Sequence, residues 1–547
     1  MAAAAPPNQR WIFGPFSDLV LGCGLGYAVF ILFLPWVPVE GGVLAAVGSF
    51  ATLVIGAPHY GATLLRVYRN REDRRKYAFF TVYLSAFIWL WFVAGLYEIA
   101  LGSAMITLYL TWSPWHYTGQ NYGLAVMFLR RRGVSFDPAT KRLLYASFGI
   151  SYGLVFVSLH RGIELLYQTR GVGEFAGTPF YFIHLGIPLG MWSALFGALL
   201  GAYVLATGWV FLRLGRAAER PGDLVPVFAL AFAQALWFSV PNVWLWARGA
   251  DLAQQSVSWL FVWAILGHSI QYLWITTYYA VGHGSRRARW GYWLSVLGAG
   301  SAVWALPALV FSPSLLGTHP YSMGLLLMIA AAVNLQHFIL DGAIWKLRDS
   351  RVSRVLLAPP RTGEAGAIGE ERPWIRHLGW GLAVLFIAFS LLGGYEQLRF
   401  GLAVQRDDME EARSAAERLD SIGRGSPGFF ALSANAAFAS GDREGALRAY
   451  QASVDFYPTS AGWLGVGLVS YDLGRIPQAE RAYERAIAFD PANAEAQRRY
   501  GLVLLATGRA AGAVDALTHA RLLRPDDAEI ARELDRARAA LAREQAP

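Results

Sequence analysis

Five side chains of types that commonly bind metal ions lie within strongly apolar stretches of this sequence: His59, His116, His268, His337 and Asp341. Neutral imidazole is the commonest protein ligand for iron, copper and zinc, and a carboxylate balances part of the charge of the ion. Asp341 follows His337 by four residues, which places both on one face of a helix. An aspartate near the centre of a bilayer costs about 2.5 to 3.5 kcal/mol, so it normally has a partner and a function. We therefore predict that these five residues hold one metal ion.

Amide side chains accompany three of the histidines. Gln120, Gln271 and Asn334 each lie three or four residues from a histidine and so share a helix face with it. Amides at such positions orient metal ligands through hydrogen bonds. We predict that role for these three residues and count them, with Asp341, as the candidate catalytic residues.

The elements that must position these residues are apolar runs of membrane-spanning length. The chain is 55% hydrophobic and 16% charged, and the charge is distributed unevenly. Runs of about 20 apolar residues match the thickness of a hydrocarbon core. We predict eleven spans, at residues 19–38, 42–64, 78–100, 103–129, 143–160, 181–212, 224–247, 256–282, 290–310, 322–345 and 377–396.

These spans define a domain organisation. The prediction is an all-α protein with a polytopic membrane helix bundle over residues 1–397 and a polar helical domain over 403–547. Residues 350–375 are rich in Gly, Pro and small residues, which favours a flexible loop within the first domain. The net charge of the chain is +9. The basic residues of the first domain lie in short loops between spans, so this charge does not indicate nucleic-acid binding.

Cationic residues predict the orientation of the spans. One set of alternate inter-span segments contains 24 Lys and Arg, whereas the other set contains Arg161, Arg170 and Arg248. Cytoplasmic loops carry the excess of positive residues, so the first set is predicted to be cytoplasmic. The N-terminus is then cytoplasmic, and the C-terminal domain lies in the periplasm or outside the cell. The protein is expected in the inner or cytoplasmic membrane.

The four histidines fall at similar depths in the predicted bundle. They lie on the second, fourth, eighth and tenth spans, 17, 13, 12 and 15 residues from the outer starts of those spans. At 1.5 Å per helical residue, their depths differ by only about 7 Å. Histidines at one depth on four helices can meet at a shared site. Alternatively, each histidine makes a hydrogen bond between two helices and nothing more.

The C-terminal domain contains an internal repeat. Its glycines (Gly441, Gly474, Gly508), alanines (Ala446, Ala479, Ala513) and prolines (Pro458, Pro491, Pro525) recur every 33 or 34 residues. This period is typical of paired helices stacked into a solenoid. The pattern resembles the tetratricopeptide repeat (TPR) over about residues 426–525. The resemblance implies a concave surface that binds a protein or peptide partner, and the alternative is a rigid spacer or dimerisation arm.

The arrangement of histidines on spans resembles the histidine-rich integral-membrane iron oxygenases, including the carotenoid-cleaving membrane dioxygenases. A metal site inside a membrane would suit a hydrophobic or lipid-like substrate, and oxidation is the obvious reaction for such inert molecules. The expected metal is iron, with zinc or copper as alternatives. The tight HxxxH and HxxHH clusters of membrane desaturases are absent from the sequence, which argues against a di-iron centre.

Other functions fit parts of the same pattern. A proton-coupled transporter would also place His and Asp along an intramembrane path. Paired imidazoles could ligate haem, although the sequence has no CxxCH motif for covalent attachment. Polytopic glycosyltransferases and oligosaccharide ligases with outward TPR domains have a similar topology, and Glu40 and Glu164 would be their acidic residues here. The last alternative is a binding protein whose spans serve only as an anchor.

Overall fold

The computed structural model describes residues 10–33, 50–68, 71–161, 178–248, 254–282, 285–313, 315–345, 350–357, 373–425 and 427–545. Within these ranges the chain is helical and forms no β-strand, as expected for an all-α protein. The chain divides into two compact units. The first contains residues 1–163, 184–318 and 326–398, and the second contains residues 164–183, 319–325 and 399–547.

The first unit is a bundle of helices. Its helices are α1 (Leu25–Phe33), α2 (Ala57–Tyr68), α3 (Arg71–Lys76), α4 (Ser85–Tyr97), α5 (Ile99–Arg131), α6 (Pro138–Leu159), α7 (Leu189–Ala217), α8 (Val225–Gln234), α9 (Val240–Arg248), α10 (Gln254–Val281), α11 (Arg286–Val310), α12 (Leu325–Ile344), α13 (Ser350–Leu357) and α14 (Pro373–Gln405). Single π-helical turns precede α2 and α4 and connect α8 to α9.

Seven helical stretches among the described residues are long and apolar enough to cross a membrane: Phe79–Tyr97, Pro138–Leu159, Leu189–Ala217, Pro221–Trp244, Arg286–Val310, Leu325–Ile344 and Arg376–Gln405. Helices α5 and α10 are also long, with 33 and 28 residues, but they are less apolar because they carry part of the histidine and glutamine set. Part of the first and second predicted spans, residues 34–49, lies outside the described residues.

Helix α12 is the buried centre of the unit. Every residue from 331 to 341 is buried, including the polar residues of the candidate site. Helix α2 packs closely along α11, because the two helices meet at glycines, which have no side chains to separate them. A Cβ atom on Gly61 would lie 1.8 Å from the carbonyl oxygen of Val296, and one on Gly300 would lie 1.7 Å from that of Ala57. This contact fixes the position of α2 and of its histidine.

The segment 350–375 differs from the predicted flexible loop at both of its ends. Ser350–Leu357 is a helix, and the helix that follows begins at Pro373. Val352 and Leu356 are buried in the hydrophobic core of the first unit, which explains why this polar-looking stretch is helical. Residues 358–372 of the predicted loop lie outside the described residues.

The second unit contains the helical pairs predicted from the 33–34 residue period. Its helices are α15 (Met409–Ser421), α16 (Pro427–Ala439), α17 (Arg443–Phe456), α18 (Ser460–Asp472), α19 (Ile476–Phe489), α20 (Ala494–Ala506), α21 (Ala510–Leu523) and α22 (Ala528–Glu544). Gly441, Gly474 and Gly508 have φ angles of 89°, 73° and 76° at the turns within pairs, where other residues would be strained. The alanines of the repeat are fully buried at the helix crossings.

Candidate metal centre

Helices α2, α5, α10 and α12 each bring one histidine to the same place in the first unit. The ring centroid of His59 lies 4.9 Å from that of His268 and 4.2 Å from that of His337. The ring of His116 lies 5.0 Å from His268 and 4.9 Å from His337. His268 and His337 are 6.4 Å apart. The four rings therefore occupy the corners of a quadrilateral, with His59 and His116 at opposite corners.

The quadrilateral has the dimensions that four imidazoles need to share one ion. A nitrogen bound at about 2.1 Å puts its ring centroid roughly 3.2 Å from the ion, so neighbouring centroids would be about 4.5 Å apart and opposite ones about 6.4 Å. The observed sides are 4.2–5.0 Å and the measured diagonal is 6.4 Å. Adjacent rings are inclined by 71–89°, so none of these pairs is stacked.

Ring nitrogens of all four histidines lack hydrogen-bond partners. The Nε2 atoms of His59, His116, His268 and His337 are buried without one, as is Nδ1 of His268. His59, His268 and His337 are at most 2% exposed, and the side chain of His116 is 10% exposed. Buried polar atoms are nearly always paired, and each unpaired one costs about 1–3 kcal/mol. A cation bound among these rings would satisfy the Nε2 atoms that coordinate it.

Asp341 lies at one side of this quadrilateral. Its Oδ2 atom is 3.4 Å from Nε2 of His337 and 3.9 Å from Nε2 of His116. Two overlapping triads, His59–His268–His337 and His116–His337–Asp341, each have their ligand atoms within 4.8 Å of one another. The five residues together offer imidazole nitrogen and carboxylate oxygen, a donor set that suits iron, zinc or copper.

A threonine and a tyrosine hold Asp341 in place. The hydroxyl groups of Thr63 and Tyr272 donate to Oδ1 of Asp341, at 2.9 Å and 2.7 Å. The indole nitrogen of Trp345 donates to the Tyr272 oxygen at 3.0 Å. These bonds occupy Oδ1 and leave Oδ2 turned toward the imidazoles.

The Thr63 hydroxyl contacts three side chains. Its oxygen lies 2.9 Å from Nδ1 of His337 and 2.6 Å from the Tyr272 oxygen, and it donates to Oδ1 of Asp341. With its single proton given to Asp341, the Nδ1 proton of His337 points to the threonine oxygen, and the lone pair of Nε2 then faces the other histidines. Ser269 lies 3.3 Å from Nδ1 of His59 and is placed to do the same for that ring.

The three amides predicted beside the ligands bond to other groups. Gln120 donates to Gln271 at 3.1 Å and to the carbonyl oxygen of His268 at 3.3 Å. Asn334 accepts from Tyr60 at 2.9 Å and donates to the backbone of its own helix at 2.8 Å. In the described contacts these amides do not hold the imidazole rings, because an amide three or four residues away reaches an adjacent helix instead. They brace the helices that carry the ligands.

Aromatic rings surround the histidines. Phe338 stacks on His116 with centroids 4.4 Å apart, and Tyr117 stacks on His268 at 4.2 Å. These rings restrict the rotamers of the imidazoles and exclude water from one side of each. The sequence analysis missed Thr63, although Thr63 follows His59 by four residues and so shares its helix face.

The family comparison concerns the second unit. Residues 467–508 match the family described as TPR repeat. The C-terminal unit contains a tetratricopeptide repeat. The chain is also similar to the crystal structure of the P58(IPK) TPR domain at 14% identity, over 66% of this chain and 95% of that chain. The TM-score of that superposition is 0.24, which is too low to support an argument. No curated protein matches the chain.

Proposed function

We propose that this protein is a membrane-embedded metalloenzyme that binds one metal ion, with iron expected, between His59, His116, His268, His337 and Asp341. The observation that carries the proposal is a cluster of four adjacent histidines with unpaired, buried Nε2 atoms beside a carboxylate, in which two overlapping triads have ligand atoms within 4.8 Å of one another. Without a cation, this arrangement leaves several buried polar atoms unsatisfied in one place, which is unfavourable. The apolar helices of the first unit support its placement in a membrane.

The chemistry proposed for this site is oxidation of a hydrophobic, lipid-like substrate. A bound iron ion would supply redox chemistry with oxygen as the oxidant. The residues of the chain would bind the ion, hold His337 in one tautomer through Thr63, and keep Asp341 oriented through Tyr272. The surrounding aromatic rings would keep bulk water out, which protects a reactive site from side reactions.

An ion fits this site better than haem. A porphyrin would have to pass between its two axial imidazoles. The pair with the widest measured separation is His268 and His337, and the ring of His59 lies within 4.9 Å of both. His116 lies within 5.0 Å of both from the other side. The macrocycle would collide with these two rings.

Proton-coupled transport is the second candidate for the same residues. The hydrogen bonds from Asp341 through Tyr272 to Trp345 favour it, because they extend the polar site along the bundle. The imidazoles, however, cluster around one point rather than following a path. The glycosyltransferase alternative depends on Glu40 and Glu164, and both lie outside the described residues.

We also propose that the TPR unit binds a protein partner outside the cytoplasm. Extended surfaces are the usual use of such solenoids. Two observations support the outward location. Among the described residues, 178–183 and 319–325 begin in segments that the charge pattern predicts to be outer loops, and they group with the repeats in one compact unit. Within that unit His319 lies 3.0 Å from the Tyr457 hydroxyl.

Metal analysis tests the proposed centre. The full chain, purified in nanodiscs and incubated with Fe(II), Zn(II) or Cu(II), is expected to retain about one ion per chain. The His116→Ala/His337→Ala variant should lose the ion, whereas the control His377→Ala should keep it, because His377 is an exposed residue of α14. Wild-type protein that folds but retains none of the three ions would contradict the proposal. Uptake of a solute that depends on pH would then favour the transporter.

A further inference from the structure

A chain of oxidisable side chains leads from the candidate metal centre to a half-buried tryptophan. Tyr272 donates from its hydroxyl to Oδ1 of Asp341 at 2.7 Å, and its ring centroid lies 4.7 Å from that of His59. The indole nitrogen of Trp345 donates to the Tyr272 oxygen at 3.0 Å. The buried carboxylate is therefore two hydrogen bonds away from an indole that is partly exposed. Tyrosine and tryptophan are the aromatic side chains that lose an electron most readily, so this path is able to carry one.

Each link of this chain can carry a proton as well as an electron. A phenol or an indole becomes a much stronger acid when it loses an electron, so its oxidation is easier where a neighbouring atom accepts the proton. Oδ1 of Asp341 accepts from Tyr272, and the Tyr272 oxygen accepts from Trp345. Both proton acceptors are therefore already in place.

A second tyrosine–tryptophan pair at the same centre lacks these bonds. Between ring centroids, Tyr60 lies 5.6 Å from His337 and 5.8 Å from Trp304. The Tyr60 hydroxyl donates to Asn334, and the indole nitrogen of Trp304 is buried without a hydrogen-bond partner among the described residues. Trp304 is also only 5% exposed. The two pairs thus differ in the bonds and the exposure that transfer of an electron out of the bundle needs, which makes Trp304 a matched control.

Trp345 lies at the end of α12 that the charge pattern predicts to be cytoplasmic, since Lys346 and Arg348 follow it within three residues. The Arg66 guanidinium lies 5.7 Å from the centre of the Trp345 ring and 4.4 Å from that of Tyr279. Tyr279 packs edge-on against Trp345 at 5.1 Å. A nearby guanidinium destabilises a positively charged indole radical. Oxidised Trp345 is therefore expected to give up its N–H proton together with the electron.

We propose that Tyr272 and Trp345 form a one-electron relay between the metal centre and a thiol reductant at the cytoplasmic face. The inference deepens the proposed function and rests on it, because the relay delivers electrons to an iron centre that oxygen or a peroxide has oxidised. It gives Tyr272 a second role besides orienting Asp341, and it assigns a role to Trp345.

The transfer balances in three steps along the two hydrogen bonds. The Tyr272 phenol gives one electron to the oxidised centre and its proton to Oδ1 of Asp341. Trp345 then gives the hydrogen atom of its indole nitrogen to the Tyr272 radical, which restores the phenol and breaks the N–H bond. A thiol gives the hydrogen atom of its S–H bond to the Trp345 radical, and two thiyl radicals combine into a disulfide. Overall, one electron reaches the centre, one proton reaches Asp341, and the thiol is oxidised.

Electron paramagnetic resonance tests the relay. The full chain in nanodiscs is loaded with Fe(II), its iron content is measured, and it is frozen after mixing with hydrogen peroxide. Wild-type protein should show an organic radical that ring-deuterated tryptophan identifies as indolyl. Per bound iron, Trp345→Phe and Tyr272→Phe should each lose at least fivefold of that signal, whereas the control Trp304→Phe should keep it. Dithiothreitol added before freezing should quench the wild-type signal, and a signal that persists would reject a thiol as the reductant.

The outcomes separate the relay from the metal centre. Trp345→Tyr keeps an oxidisable ring, so its radical should change from indolyl to tyrosyl, and this variant serves where the phenylalanine variant does not fold. Equal indolyl signals per bound iron in the wild type, Trp345→Phe and Trp304→Phe would overturn the relay while the measured iron upholds the metal proposal. Iron-loaded wild-type protein without an indolyl radical would do the same. Wild-type protein that folds but retains no ion would overturn both.

Discussion

Replacing Thr63 by valine is the sharpest test of how the centre is built. Valine has nearly the shape of threonine but lacks the hydroxyl that accepts from His337 and donates to Asp341. The variant keeps the five candidate ligands and the packing around them. It removes the acceptor that fixes the His337 tautomer and one of two donors to Asp341, while Tyr272 remains.

The expected size of the effect follows from these bonds. Losing the acceptor leaves the Nδ1 proton of His337 buried and unpaired, at a cost of about 1–3 kcal/mol unless the ring changes tautomer. A changed tautomer would place the proton on Nε2, the atom predicted to bind the ion. Loss of such a supporting bond typically weakens metal affinity about 10- to 100-fold, which is about 1.4 to 2.7 kcal/mol. We therefore expect Thr63→Val to weaken binding within that range.

The assay is a competition titration of the nanodisc protein against a chelator of known affinity. Thr63→Ser is the control, because it keeps the hydroxyl and should bind the ion within about threefold of the wild type. Equal affinity of the wild type and Thr63→Val would refute this account of the tautomer. So would a Thr63→Ser variant as weak as the valine variant, because the lost methyl group and not the hydroxyl would then matter.

Three further predictions concern single contacts. Tyr272→Phe keeps the ring but removes its bond to the carboxylate, so metal affinity in the same titration should fall about tenfold. Gly61→Ala should lower the melting temperature and the metal content together, because its Cβ would lie 1.8 Å from a carbonyl oxygen of α11, whereas Gly291→Ala should change neither because no atom is within 4 Å. Asp527 accepts from two backbone amides at the start of α22, and these bonds hold its pKa below the ordinary value of 3.8. The stabilising effect of the Asp527 carboxylate is fully present above pH 3.8 and is lost as the pH falls through the lowered pKa. Asp527→Ala should therefore reduce hydrogen-exchange protection of α22 at pH 7, and this reduction should become smaller as the pH is lowered below 3.8. A reduction of constant size over that pH range would contradict this.

The repeats were predictable from the sequence because their information is local. Each helical pair is defined by a glycine at its turn, an alanine at its crossing and a proline at its end, all within 34 residues. Repetition makes the signal stronger, since the same constraint appears three times. The matched family and the observed turns, with positive φ at Gly441, Gly474 and Gly508, agree with that prediction.

The candidate site was predictable in part. Four histidines at similar helical depth indicated a shared site, because such side chains are costly when isolated in apolar surroundings. The roles of their neighbours were not predictable. Gln120, Gln271 and Asn334 have the right spacing but bond across to other groups, whereas Thr63 bonds to both His337 and Asp341. Periodicity tells which residues share a helix face, but not which helix lies opposite that face.

The sequence by itself determined the helical class, the stacked repeats and the positions of the costly polar residues along the chain. Each of these depends on residues within a few turns of one another. Only the tertiary structure decided that α2, α5, α10 and α12 meet, since Thr63 and His337 are 274 residues apart. Packing between distant helices sets these relations, and no local pattern encodes it.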